Sequence, residues 1–198
     1  MASLMDLVQD SGVSMMIKES ETLFTLVLCL HALGLGFIVG ISTIAAMRVL
    51  GLAPGVPMAP FSDFFPIMWV GFWVNALSGV LLLMLYPKNY LTDAAFYIKM
   101  IGVVSAVYHT AMLRGVLLRG DDGPHGRRVA VALLASWFVA IPCARVVAYN
   151  ASVGYQSLTA VAITGAILLL LALKARRALG FEGAAIHAPA AGAVRQTT

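Results

Sequence analysis

The chain has 198 residues, 61% of them hydrophobic and 11% charged, with a mean hydropathy of +0.91. Soluble domains are nearer half apolar and a quarter charged, so the composition excludes an ordinary soluble globule and marks an all-α integral membrane protein. The net charge of +4 sits at the ends of apolar runs, which makes it a topology signal and not a nucleic-acid footprint.

Residues 1–20, MASLMDLVQDSGVSMMIKES, lack the basic start and compact apolar core of a secretory signal. Leu4, Leu7, Val8, Met15 and Met16 recur at helical spacing, which predicts an amphipathic helix lying at the membrane interface. A transmembrane domain over 21–177 follows. A hydrocarbon core of about 30 Å takes about 20 apolar residues as helix. Five runs meet that length: 23–47, 66–85, 96–118, 129–149 and 153–173. Trp69, Trp73 and Tyr86 near the ends of the second run suit an interfacial aromatic belt.

The connections carry topology more than chemistry. GLAPGVPMAPFSDFFP (51–66) is Pro- and Gly-rich and predicts irregular chain, and RGDDGPHGRR (119–128) predicts a charged turn. Residues 178–198 form an Ala/Gly-rich segment without periodicity, expected to be a flexible cytoplasmic tail. With the N-terminus outside, eight basic residues (Arg48, Arg114, Arg119, Arg127, Arg128, Lys174, Arg176 and Arg177) fall inside. Four (Lys18, Lys88, Lys99 and Arg145) fall outside, so a five-helix bundle is expected N-out and C-in. The expected location is a bacterial inner membrane. Cys29 and Cys143 lie in apolar runs and imply neither a disulfide framework nor a zinc site. They are expected to be buried small hydrophobes. His125 and His187, in polar stretches, are expected to be ordinary solvated histidines.

Two histidines lie within spans. An ionisable side chain there is costly, faces the bundle interior and needs a partner. His31 lies ~12 Å along the first span and His109 ~15–20 Å along the third, both counted from the outer edge. Two imidazoles at one depth on two helices could ligate a haem iron from both sides. Gly34, Gly36 and Gly40 beside His31 leave room for a macrocycle or for a helix, the last two as a small-xxx-small pair. Arg145 could meet a haem propionate, or snorkel to headgroups. His31 could instead hydrogen-bond a carbonyl or Asn75 and join two helices.

TLFTLVLCLHALGLGFIVGISTIAAMRVLGL (22–52) resembles the first helix of a bacterial superfamily of small membrane haem proteins. That superfamily includes HemJ-type protoporphyrinogen oxidases and the membrane domain of copper resistance protein D. AAFYIKMIGVVSAVYHTAML (94–113) resembles their third helix, with an aromatic, a lysine and a later Tyr-His. LSGVLLL (77–83) resembles the second loosely. The resemblance spans residues 22–118 and is nearest to a bacterial family of no assigned function with the same first-helix and Phe-x-x-Lys features. It implies haem b in the membrane. It also implies that His31 and Lys99 fall on the superfamily's essential pair, with Tyr108 and His109 on its following Tyr-His. In the fourth span the HemJ-type asparagine-glutamate-x-proline element is replaced by FVAIPCARVV, which keeps only Pro142.

The leading expectation is a b-type haem protein in electron transfer, its haem between the first and third spans on His31 and His109. Lys99 and Arg145 would be accessory cofactor-binding residues, and a quinol or a redox protein the partner. The alternatives are an accessory subunit of a larger membrane complex without cofactor, and a HemJ-like porphyrinogen oxidase.

Overall fold

The computed structural model describes residues 3–52 and 54–148, together with Ile163, Ala166, Ile167, Leu170 and Lys174. The chain divides into two compact units, Met1–Val161 and Ala162–Thr198. In the second unit, the five described residues are helical and exposed. The expected fifth span (153–173) and the tail (178–198) otherwise lie outside the described residues.

The first unit is helical throughout its ordered elements: α1 (Leu4–Gln9), α2 (Gly12–Glu19), α3 (Glu21–Val49), a 3-10 turn (Ala59–Phe64), α4 (Phe65–Leu85), α5 (Pro87–Leu91), α6 (Ala94–Arg119) and α7 (Pro124–Ala148). Among the described residues, four helices are long and apolar enough to cross a membrane: α3, α4 with its 3-10 turn, α6 and α7. They coincide with the first four expected spans. Among the α-helices themselves the largest difference is at α7, which begins at Pro124 and not near Val129, while the 3-10 turn extends the second span back to Ala59. The apolar run marks only the hydrocarbon part of a helix, and here the helix continues through Arg127 and Arg128.

Local chemistry sets the ends. The Ser20 hydroxyl accepts from the Leu23 N–H at 3.3 Å and starts α3. Glu21 in its first turn and Arg48 in its last complement the helix dipole. Tyr86 leaves the helical region (φ −139°, ψ 57°) because Pro87 follows it, which ends α4. Asp93 caps α6 through Ala95 N–H at 2.8 Å. Gly120, at φ +63°, closes α6, with Asp121 N–H reaching the Val116 carbonyl at 3.0 Å.

Two close helix pairs, α3 with α4 and α6 with α7, are joined by packing of α3 on α7. In the α3–α4 pair, backbone meets backbone. A methyl group built on Gly34 would lie 2.5 Å from the Gly71 carbonyl oxygen and 2.6 Å from the Asn75 nitrogen. Only glycine fits there. Gly36 and Gly40, the expected small-residue pair, have nothing within 4 Å of that position and do not make the contact. Toward the end of the bundle that carries Arg48, Arg114 and Arg119, all four helices fill a common core. Ile38, Val49, Phe65, Met68, Leu113, Leu117 and Leu133 are buried there.

At the opposite end the N-terminal segment forms a collar. It is two short helices, not one, because Ser11 caps a new helix through Ser14 N–H at 3.4 Å. The collar is tied to the bundle by an Asp6–Lys88 ion pair at 2.6 Å and by the Ser14 hydroxyl donating to the Met84 carbonyl at 3.3 Å. Ile17 is buried with Val27 and Leu85. Leu4, Leu7 and Met16 stay exposed. Cys29, expected to be buried, lies on the exposed face of α3, and Cys143 is half-buried. An apolar run does not say which side of a helix faces lipid.

Candidate functional site

His31 is held by α4. Its Nδ1 lies 3.0 Å from the Asn75 carbonyl oxygen and 3.1 Å from the Ser78 hydroxyl. The Asn75 amide nitrogen also lies 3.2 Å from Nδ1, but its nearer acceptor is the His31 carbonyl. The Asn75 backbone carbonyl can only accept, so the contacts favour the proton on Nδ1 and the lone pair on Nε2. The Asn75 amide returns the contact, donating to the His31 carbonyl at 2.7 Å. Ser78 donates to the Val74 carbonyl at 2.6 Å, which leaves its oxygen free to accept from the ring. Gly79 completes the fit, since a methyl group there would lie 3.1 Å from His31 Cε1. His31 therefore does join two helices, as one reading of the sequence has it. The same bonds fix its tautomer and ring plane.

The ring borders a cavity of about 420 Å³ between the four long helices, in the half of the bundle nearer the collar. All four long helices line it: Leu35 and Ile38 from α3, Phe72, Asn75, Ala76 and Val80 from α4, Phe96, Lys99, Val103 and Val107 from α6, and Trp137, Ala140 and Ala144 from α7. The wall is apolar apart from His31, Asn75, Lys99 and the edge of Trp137, whose indole N–H is already donated to Ser42 at 3.1 Å. Its size falls within the ~300–1,000 Å³ range of small-molecule and cofactor sites. Lys99 is half-buried at its wall, with the ammonium 5.9 Å from the Phe96 ring centroid.

Of the four residues singled out from the sequence, the structure brings two together. His31 and Lys99 share the cavity. His109 is not among its lining residues. Its Nδ1 donates to the carbonyl of Ser105, one turn back on its own helix, at 2.8 Å. Ser105 in turn meets Ser136 of α7 at 2.8 Å, so His109 belongs to the α6–α7 seam. The reason is helical geometry: ten residues separate Lys99 from His109, a rise of about 15 Å and a rotation of about 80° short of three full turns. Arg145 is exposed, one position beyond Ala144, and does not line the cavity. Asn75, Ser78 and Gly79 complete the site. The sequence offered Asn75 as a possible partner of His31, and Ser78 and Gly79 lie in the LSGVLLL stretch that carried the loose second-helix resemblance, but nothing in it placed them around the His31 ring.

Haem b, which the resemblance implies, can be tested against this donor set. An imidazole with Nδ1–H held by a backbone carbonyl and a free Nε2 is the usual state of a metal-ligating histidine. The apolar wall and the cavity size also suit a macrocycle, so the residues fit a haem on His31. They do not supply His109 as the group across from it. Among the described residues, no group of three or more His, Cys, Asp or Glu could hold another kind of metal ion.

Comparison of the chain with protein-family models, with curated proteins and with solved structures finds no match.

Proposed function

We propose that this multi-pass membrane protein binds haem b in this cavity, with His31 as the iron ligand, and works in electron transfer. The observation that carries the reading is His31 itself: a histidine in mid-membrane, its tautomer fixed by the Asn75 carbonyl, bordering an apolar cavity of cofactor size. Bound haem would supply a one-electron couple. This chain's residues would do the rest. Asn75 and Ser78 orient the ring. The apolar wall keeps water from the site. Lys99 would offer its ammonium to a propionate or, deprotonated, its amine nitrogen to the iron.

The clustering of Arg48, Arg114, Arg119, Arg127 and Arg128 at one end of the helices supports an N-out orientation in a bacterial inner membrane. A quinol or a redox protein would be the electron partner. A second reading, HemJ-like oxidation of a porphyrinogen, is favoured by one observation: the group that joins His31 at the cavity is Lys99, the other member of the pair that the resemblance implies.

The test is the reduced-minus-oxidised spectrum of the purified protein beside His31→Ala, His109→Ala and Lys99→Ala. The reading expects a sharp b-type α-band that is lost in His31→Ala and kept in His109→Ala. A band also lost in Lys99→Ala makes Lys99 part of the haem site, and a band kept but shifted there excludes it as an essential ligand. No band in wild type after haem supplementation ends both redox readings and leaves an accessory subunit of a larger complex.

A further inference from the structure

The cavity lies between two helices that barely touch. α4 and α6 make almost no contact along their membrane lengths. At one end the 3-10 turn before α4 packs on α6. At the other, α5 is the covalent connection between them and packs on α6, with the Tyr90 and Phe96 rings 6.1 Å apart. Between these two bridges runs a seam. Among the described residues its edges are cavity-lining residues that are also exposed: Val80 (55%) on α4, Met100 (40%) and Val104 (64%) on α6, with Ile141 (37%) on α7 a further exposed lining residue. The lining residues of α6 run from Phe96 to Val107, which at 1.5 Å per residue is about 16 Å of helix.

The exposed edge residues are Val and Met, with the half-buried Lys99 the one charged group beside them, and an edge of that composition suits hydrocarbon better than water. The ends of the seam that would meet water are the bridged ones. A ligand reaching His31 by this path crosses no polar surface until it meets Lys99 and Asn75. The path therefore selects for solubility in the bilayer.

We propose that the cavity is loaded sideways from the lipid, through the α4–α6 seam, and that its ligand is a bilayer-dissolved amphiphile with a mainly apolar body. The inference rests on the cavity being a ligand site, as in the reading above, but not on the ligand being haem.

Trp137 reports on it. It lines the cavity and is 4% exposed. The chain has three tryptophans, so Trp69→Phe with Trp73→Phe leaves Trp137 as the sole emitter. The protein, free of haem, is placed in vesicles of dibrominated phosphatidylcholine, with unbrominated vesicles as reference and iodide as the aqueous quencher. The expected result is loss of most Trp137 emission to brominated chains and little to iodide. Val80→Phe with Val104→Phe, which narrows the seam, should restore the emission. Quenching by iodide alone would mean an aqueous mouth and overturn the proposal. Protection from both quenchers would mean that the seam is sealed, and would also overturn it. If the tryptophan variants do not fold, the wild-type protein is irradiated with a phospholipid bearing a diazirine on its acyl chain. Adducts on Val103 or Trp137 support the seam, and adducts confined to outward-facing residues refute it. Neither readout needs haem, so a missing α-band and a closed seam are separate failures.

Discussion

His31 and Asn75 hold each other twice: the His31 ring donates to the Asn75 carbonyl at 3.0 Å, and the Asn75 amide donates to the His31 carbonyl at 2.7 Å. The two bonds are not equivalent. One uses the asparagine side chain and can be removed by mutation. The other uses its backbone and survives any substitution that keeps the helix. Asn75→Ala should therefore lower stability by about 1 kcal/mol, the usual scale of an interhelical hydrogen bond in a membrane. It should leave the His31 tautomer and any haem band in place. His31→Ala should remove the band. Unfolding in mixed micelles, run beside the spectrum, separates the two effects. Loss of the band in Asn75→Ala would mean that the amide, not the carbonyl, sets the ring.

The glycines of α3 should divide sharply. A methyl group at Gly34 collides with the backbone of α4 at Gly71 and Asn75. Gly34→Ala should cost about 1–3 kcal/mol as overpacking. It should also disturb His31, one turn away. Gly36→Ala and Gly40→Ala meet nothing within 4 Å and should be neutral or slightly stabilising, since alanine is the better helix former. Thermal unfolding of the three variants checks the order, and equal costs would contradict the observed helix contact.

Gly79 controls the ring more directly. A methyl group there stands 3.1 Å from His31 Cε1, inside ordinary contact distance. Gly79→Ala should shift or broaden a haem band without abolishing folding. Gly79→Leu should fill space beside the ring and remove binding. A band unchanged in Gly79→Leu would place the ligand elsewhere.

The collar should respond to acid and salt. The Lys88 ammonium, with help from Ser3, holds the Asp6 carboxyl at about 2, below its ordinary 3.8. A carboxyl lowered in the folded protein contributes stability above its unfolded value and loses it as pH falls through the folded one. The collar should thus be indifferent between pH 5 and 8 and loosen between about 4 and 2. The pair is solvent-exposed, so its effect is small and screened by salt. Limited proteolysis at residues 1–20 reads it, with Lys88→Met expected to remove the pH dependence.

Composition and run length alone marked this chain as a membrane protein and located the four described helices that are long and apolar enough to cross a bilayer, because burying backbone in hydrocarbon demands helices of one minimum length. The sequence also singled out His31 and Lys99, since ionisable groups are costly in such runs and stand out for that reason. It did not reveal the partners. Most residues of these helices are apolar enough to face either lipid or protein, so the usual contrast between core and surface is missing, and periodicity cannot assign faces. That is why Gly34 and Gly71 were indistinguishable from Gly36 and Gly40 until the helices were packed. It is also why His109 looked equivalent to His31. Depth along a helix is legible from residue counting to within a turn, but a few residues change the facing direction by half a circle. Tertiary structure decided that Lys99, and not His109, lines the cavity with His31, and that among the described residues α4 and α6 barely touch. Both follow from which helices pack in pairs, a choice set by a few backbone contacts far apart in sequence.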